Sequence, residues 1–213
     1  MLITSPHCSS GSDRIASLVS ELANLAWAGD ASAADPATAA AKLSPTAVIN
    51  VQGDQPFIDP AVITAAAAAC TQRDPTPAVI TPVYRLEPEH IHNPAVVKTV
   101  LSADGRALFI SRSAIHHVRG IDPAQCHAHT TFWDHVGLYA YRAHVCPVAA
   151  MGPFPLEQME SLEQLHLIEA GHTVATREVP GTSLSVDTAE QLEQARAIAA
   201  REDPTIPMPA QSR

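Results

Sequence analysis

Hydrophobic residues in the first half of the chain fall into short apolar runs and one helical pattern. β-Branched, apolar runs at residues 46–51 and 77–83 predict two buried strands. Between them, Asp59-Pro60 begins an alanine-rich helix that runs to about Cys70, with proline in the favoured first turn. This strand–helix–strand order predicts an α/β fold built on a mostly parallel, doubly wound sheet.

The middle of the chain has the pattern of antiparallel strands. Residues 93–101 and 107–111 predict two strands joined at Asp104-Gly105, a strong hairpin signal. Residues 134–142 then alternate with a period of two. One side of this predicted strand carries His135, Gly137, Tyr139 and Tyr141, and the other carries Val136, Leu138 and Ala140. A strand face that is both polar and aromatic suits a pocket for a hydroxylated ligand.

The last third predicts two helices separated by a strand. Residues 159–170 have helical periodicity, and Gly171 ends that helix. A strand is predicted at 173–179. The final helix begins at Thr188, which is a plausible N-cap because Gln191 follows at capping-box spacing. The sequence further predicts an exposed insertion at 28–45 and a disordered proline-rich tail at 204–213, within a chain that otherwise forms one domain over residues 1–203.

Two aspartates lie where strands are predicted to end. Asp54 follows the strand at 46–51 after Gly53, and the carboxyl ends of strands are where open α/β sheets bind ligands. Asp187 lies at a second strand-to-helix junction. A carboxylate in such a place can hold a divalent cation that bridges to substrate phosphates. Asp is equally common in turns for local reasons, so a capping role for Asp54 remains open.

Two further segments carry polar side chains that could bind a ligand. Ser10, Gly11 and Ser12 form a loop that leads into a helix at Arg14, and the free N–H groups of such a loop can bind an anion or a base edge. An ordinary capped loop is the favoured alternative. Glu160, Glu163 and Gln164 lie close together on one face of the predicted helix, where plain solvated charge is the alternative.

Composition narrows the classes of function. The 213 residues carry a formal net charge of −9 with 13 scattered basic residues, which argues against nucleic-acid binding but allows a phosphate-bearing small molecule. The four separated cysteines and the loop histidines match no disulfide framework and no tetrahedral zinc template. The sequence predicts no membrane span and no signal peptide, and therefore a reducing, cytoplasmic location.

Seven motifs in one order resemble the 3-deoxy-manno-octulosonate (Kdo) cytidylyltransferases, also called CMP-Kdo synthetases. They are SGSDR (10–14), NVQGDQP (50–56), VVK (96–98), ALFISRS (107–113), HVGLYAYR (135–142), ESLEQ (160–164) and VDT (186–188). Each motif alone is weak, but their shared order and compatible spacing are specific. The resemblance covers nearly all of the chain apart from 28–45 and the tail.

The resemblance implies a Rossmann-like nucleotidyltransferase fold that makes CMP-Kdo and pyrophosphate from CTP and Kdo for lipopolysaccharide synthesis. It also implies a smaller β-rich part at about 92–150 that binds the sugar and forms a homodimer around the His135 strand. Mg²⁺ would be held by Asp54 and Asp187. Substrate-binding positions carried over from the family are Ser10, Gly11, Ser12, Arg14, Gln52, Arg112, His135, Tyr139, Glu160 and Gln164, with Arg112 suited to the Kdo carboxylate.

The sequence departs from the family pattern in several places. The family's Arg-, Ser-, Gly- and Lys-rich triphosphate loop has no counterpart here, and the sequence starts within a predicted strand. Gln55 and Ala114 replace the usual Glu and Pro. The alternatives are therefore a truncated or mis-started, inactive chain, a subunit that only binds sugar acid or nucleotide, and a cytidylyltransferase for another sugar acid such as a sialic acid.

Overall fold

The computed structural model describes residues 14, 15, 17, 47–71, 77–142, 154–181 and 184–202. The strands are β1 (Ala47–Val51), β2 (Val79–Arg85), β3 (Lys98–Leu101), β4 (Ala107–Ser111), β5 (Trp133–His135), β6 (Leu138–Arg142) and β7 (Val174–Glu178). The helices are α1 (Pro60–Thr71), α2 (Pro155–Glu160), α3 (Leu165–Glu169) and α4 (Ala189–Glu202). Short 3₁₀ turns lie at Pro88–His90 and Pro123–Ala128.

The centre of the sheet is an extended segment made of β5 and β6, which are separated by Val136 and Gly137. One side of this segment pairs with β2 along both halves. On the other side, β1 pairs with β6 and β3 pairs with β5. The two partners meet at the break, where Gln52 N–H donates to Gly137 O and His135 N–H donates to Val97 O. The end of β1 and the start of β3 therefore lie next to each other.

The α/β class is confirmed, but strand directions differ from the predicted mostly parallel sheet. Among the described strands, β2 and β7 form the parallel pair, and the other pairings are antiparallel. β1 and β2 do point the same way, as a strand–helix–strand unit requires. They are not neighbours because β6 inserts between them in the opposite direction.

Helices cover both faces of the sheet. On one face, Ala66 and Cys70 of α1 pack against Ile80, Leu138 and Ala140. On the other face, the core combines strand residues with residues of the α2–α3 region: Val79, Ile110, Tyr139, Tyr141, Leu162, Leu165, Leu167 and Val174. The predicted alternation of the 134–142 strand is confirmed, because its tyrosines and its aliphatic side chains fall into these two different cores.

The β3–β4 hairpin and the last helix form as the sequence predicts. Gly105 has a φ of 78°, which the hairpin turn needs and which glycine adopts without strain. The hairpin reaches β7, since Thr176 donates to Gly105 O from both its N–H and its hydroxyl, each at 2.8 Å. At α4, Thr188 N–H donates to Gln191 Oε1 and Gln191 N–H donates to Thr188 Oγ1, which confirms the capping box.

The helix predicted at 159–170 is wrong as a single element. Ser161 adopts a left-handed conformation (φ 52°, ψ 48°) that ends α2, and α3 begins four residues later. The carboxylate of Glu160 binds the end of β4, where it accepts hydrogen bonds from the Ser111 hydroxyl and the Arg112 N–H. The turn between the two helices carries Glu163 and Gln164.

The part of the chain that the structure describes contains no helix long and apolar enough to cross a membrane. Three predictions concern residues outside the described ranges: the Ser10–Ser12 loop, the insertion at 28–45 and the tail at 204–213. The 134–142 strand, around which the resemblance implies a homodimer, has neighbouring strands on both sides. Its tyrosines are enclosed in the core.

Candidate active site

A cleft of about 1160 Å³ opens beside the gap between β1 and β3. Its walls include the loop after β1, the break between β5 and β6, and the segment before β3. The α2–α3 turn and residues 184–187 complete the lining. Of the predicted site residues, the cleft is lined by Arg14, Gln52, Asp54, Arg112, His135, Tyr139, Gln164 and Asp187. Residues that are distant in sequence thus meet where the sheet divides.

The two predicted metal ligands are joined through one serine hydroxyl. Ser185 Oγ lies 2.7 Å from Asp187 Oδ2 and 3.3 Å from Asp54 Oδ2. The backbone reinforces this junction, because Val186 N–H donates to Asp54 O at 2.8 Å. Asp54 Oδ1 is buried and accepts no hydrogen bond within the described residues. Among those residues no group of three or more His, Cys, Asp or Glu side chains is arranged to hold a metal ion, and the junction contains two carboxylates, Asp54 and Asp187.

A pair of aromatic side chains, the partly buried His135 and the buried Tyr139, lines the cleft beside the strand break. The hydroxyl of Tyr139 hydrogen-bonds to Nε2 of His135. Burial lowers the pKa of His135 to about 4 and raises the pKa of Tyr139 well above its usual value. Both groups are therefore neutral at pH 7. They can donate hydrogen bonds to the hydroxyl groups of a ligand and accept hydrogen bonds from them, and they are poorly suited to carry charge.

Gln52, Glu163 and Gln164 link the two sides of the cleft. Gln52 Nε2 donates to Glu163 Oε1 at 3.3 Å, and Gln164 Nε2 donates to the same oxygen at 3.4 Å. The missing side chain of Gly137 makes room for this arrangement. A Cβ there would lie 2.7 Å from Gln52 Oε1. Glycine at the strand break thus lets the loop that bears Asp54 lie close to the strand.

Arg112 lies at the other end of the cleft, held by backbone carbonyls. Its Nε donates to Glu160 O at 3.0 Å and one terminal nitrogen donates to Pro94 O at 3.3 Å. These bonds use two of the five N–H groups of the guanidinium. Glu160, predicted to line the sugar pocket, is not among the residues that line the cleft. Its carboxylate instead fixes the end of β4 through Ser111 and Arg112.

Sequence reasoning missed several polar residues at the site. Asp134 lines the cleft and is 8% exposed. Burial raises its pKa to about 6, against the opposing effects of a hydrogen bond from Tyr84 and the charge of Lys98. Ser185, which joins the aspartates, was also missed, whereas Glu163, which joins the glutamines, belongs to the group predicted with Glu160 and Gln164. Ser185 could have been suspected because it precedes Asp187 by two residues, whereas nothing local distinguishes Asp134 from a surface carboxylate.

Comparisons with known proteins agree on one family. A family model described as cytidylyltransferase matches residues 1–176. The 3-deoxy-manno-octulosonate cytidylyltransferase of Chlorobaculum parvum is 36% identical over 202 residues, covering 93% of this chain and 71% of the relative. The protein of the same name from Rhodopirellula baltica is 37% identical over 204 residues, covering 93% of this chain and 72% of the relative.

A solved structure shows the same likeness in three dimensions. CMP:2-keto-3-deoxy-manno-octonic acid synthetase complexed with CTP superposes with a TM-score of 0.74 at 30% identity, covering 94% of this chain and 72% of that one. The structural match extends over nearly the whole chain. By sequence and by fold, this chain belongs to the cytidylyltransferase family.

Proposed function

We propose that this protein transfers CMP from CTP to 3-deoxy-manno-octulosonate, giving CMP-Kdo and pyrophosphate. The observation that carries the proposal is that one cleft contains groups suited to both substrates. It has a pair of carboxylates suited to a phosphate-bound cation, Asp54 and Asp187, and an arginine suited to a sugar-acid carboxylate, Arg112. The relatives named for this reaction are similar over nearly the whole length of the chain.

The carboxylate pair fits Mg²⁺ as the metal. Mg²⁺ is commonly bound by one or two carboxylates together with substrate phosphates, which matches a two-carboxylate site. The Oδ1 atom of Asp54 is buried and has no partner in the part of the chain that the structure describes, which supports a cation ligand here because a buried acceptor without a partner is costly. When bound, Mg²⁺ would supply positive charge to offset that of the phosphate oxygens.

The residues of the chain divide between the two substrates. Arg14 and Gln52 line the same cleft as the carboxylates and serve the nucleotide. Arg112 has N–H groups beyond those bound to carbonyls, and they can bind the sugar-acid carboxylate in a two-point geometry. His135, Tyr139 and Gln164 bind the sugar hydroxyls. Because His135 and Tyr139 are neutral at pH 7, they orient the sugar through hydrogen bonds and add no charge beside the phosphates.

In the reaction, the anomeric hydroxyl of the sugar attacks the α-phosphorus of CTP in line with the departing pyrophosphate. The new oxygen–phosphorus bond forms as the bond between the α-phosphorus and its bridging oxygen breaks. The hydroxyl proton is released to solvent. Positioning and charge stabilisation supply most of the rate enhancement in such a transfer, so the chain needs no covalent nucleophile.

The test is release of pyrophosphate by the purified protein with CTP, Kdo and Mg²⁺. We expect D54N and D187N to lower kcat/KM by roughly a hundredfold or more, since each removes a carboxylate that would hold the cation offsetting the phosphate charge. D59N is the matched control. Asp59 caps α1 through Ala61 N–H, lies outside the residues that line the cleft, and undergoes the same change of charge.

The same measurement separates the alternatives. No pyrophosphate from the parent protein, with Kdo binding detected by calorimetry, would favour a binding-only role. Faster turnover of a sialic acid than of Kdo would identify the sialic acid as the preferred substrate. Full activity of both D54N and D187N would refute the carboxylate site.

We also propose a homodimer formed by the part at about 92–150. Support comes from the β3–β4 hairpin, because β4 has β3 as its ladder partner among the described strands and exposes 54% of Leu108. Sedimentation equilibrium of the parent protein is expected to give twice the chain mass. L108K should shift the protein towards monomer, because it places a charge on an apolar contact, while L192K on α4 serves as the control. A monomeric parent protein would contradict the proposal.

A further inference from the structure

Lys98 is a charged residue enclosed completely within the fold, at the start of β3 and outside every predicted site. Its exposure is 0%. Its Nζ donates to three backbone carbonyls: Asn93 O at 2.9 Å, Val96 O at 2.8 Å and Arg112 O at 2.5 Å. Carbonyl oxygens only accept, so all three donors of an ammonium group are used. Burial of a charge is tolerated only with such complete pairing.

The three carbonyls belong to the segments that present Arg112 to the cleft. Two lie in residues 93–96, which precede β3, and the third is that of Arg112 itself. The guanidinium of Arg112 binds Pro94 O, in the same short segment. Lys98 therefore fixes both the backbone of Arg112 and the segment against which its side chain rests. Asn93, Val96 and Arg112 all line the cleft.

The ammonium also balances buried negative charge. Asp134 faces Lys98 across the β3–β5 ladder and lines the cleft at 8% exposure. Burial lowers the pKa of Lys98, and the charge of Arg112 adds to this effect, while the charges of Asp134 and Glu160 oppose it. Without the ammonium, the Asp134 carboxylate would repel an anion approaching Arg112.

The hydrogen bonds of Lys98 within the described residues do not reach the Asp54 loop or residues 184–187. On the basis of the proposed function, we propose that Lys98 is a positioning residue whose buried charge makes Arg112 competent to bind the sugar-acid carboxylate. Loss of Lys98 should weaken binding of the sugar acid and leave binding of the nucleotide nearly unchanged.

The test compares K98M with T99V in steady-state pyrophosphate release, varying Kdo and CTP separately. K98M keeps the length of the side chain and removes the charge. We expect it to raise the KM for Kdo about tenfold or more and to change the KM for CTP less than about twofold. T99V is the matched control because Thr99 is also buried in β3 and its hydroxyl has no hydrogen-bond partner among the described residues.

Direct Kdo binding by calorimetry gives a second readout that needs no turnover. If K98M fails to fold, the same measurements are made on K98Q, because this variant removes the charge but keeps two N–H donors for the carbonyls. Equal effects of the folded variant on both substrates, or no effect on Kdo, would overturn the proposal. A parent protein that neither binds nor converts Kdo would instead refute the proposed function.

Discussion

At the scale of single residues, two neighbours in β5 have pKa values displaced in opposite directions by the same cause. Burial raises the pKa of Asp134 from 3.8 to about 6 and lowers that of His135 from 6.5 to about 4. Burial disfavours the charged form of either group, which is protonated for histidine and ionised for aspartate. Their contributions to the free energy of unfolding therefore oppose each other between pH 4 and pH 6.

The sign of each contribution follows from proton linkage. The contribution of Asp134 is full below pH 3.8 and is lost as the pH rises through about 6, whereas that of His135 is full above pH 6.5 and is lost as the pH falls through about 4. We expect D134N to gain stability relative to the parent protein as the pH rises from 4 to 6. H135Q should lose stability relative to the parent over the same range, by at most about 1.4 kcal/mol per pH unit.

Urea unfolding at pH 4, 5, 6 and 7 measures these differences. D59N controls for removal of a carboxylate, because Asp59 is exposed at the start of α1. Parallel stability curves for D134N, H135Q and the parent protein would show that neither group changes its proton affinity on folding.

The candidate site illustrates which residues a sequence can reveal. Asp54 could be predicted because a glycine and a proline mark the strand end beside it, and Tyr139 because strand alternation places it with His135. The buried position of Lys98 could not be predicted, because a lysine in a short strand has the pattern of a surface residue. Its three carbonyl partners become visible only when β4 lies beside β3.

At the scale of elements, the division between α2 and α3 brings residues to the cleft. The apolar spacing of Leu162 and Leu165 continues the helical pattern, so periodicity could not show the break. The break depends on a tertiary contact, the binding of Glu160 to the end of β4. It also depends on Ser161 adopting a conformation that residues other than glycine seldom adopt.

Substitution at Ser161 tests this division. We expect S161V to lower the free energy of unfolding by about 1–2 kcal/mol, because a left-handed conformation is costly for a β-branched residue. S161G should stay within about 0.5 kcal/mol of the parent protein, since relief of strain offsets the greater entropy of the unfolded chain. Urea unfolding gives both values, and equal stability of S161V and S161G would contradict the expectation.

At the scale of the whole molecule, local patterns predicted the layers better than the order of strands. The alanine-rich helix and the strands on each side of it were predictable, because each depends on neighbouring residues. The insertion of β6 between β1 and β2 was not, since it joins Ala47–Val51 to Leu138–Arg142. The directions of β1 and β2 follow from the helix between them, but their separation depends on a distant segment.

The contact between Asp54 and residues 185–186 has a consequence for biosynthesis. The Ser185–Asp54 hydrogen bond spans 131 residues, and β1 pairs with β6, which lies about 90 residues downstream. During translation, Asp54 leaves the ribosome long before either partner exists. The carboxylate pair is thus assembled late, after most of the sheet has been made, and a nascent chain gains its complete cleft only with the emergence of residues 184–187.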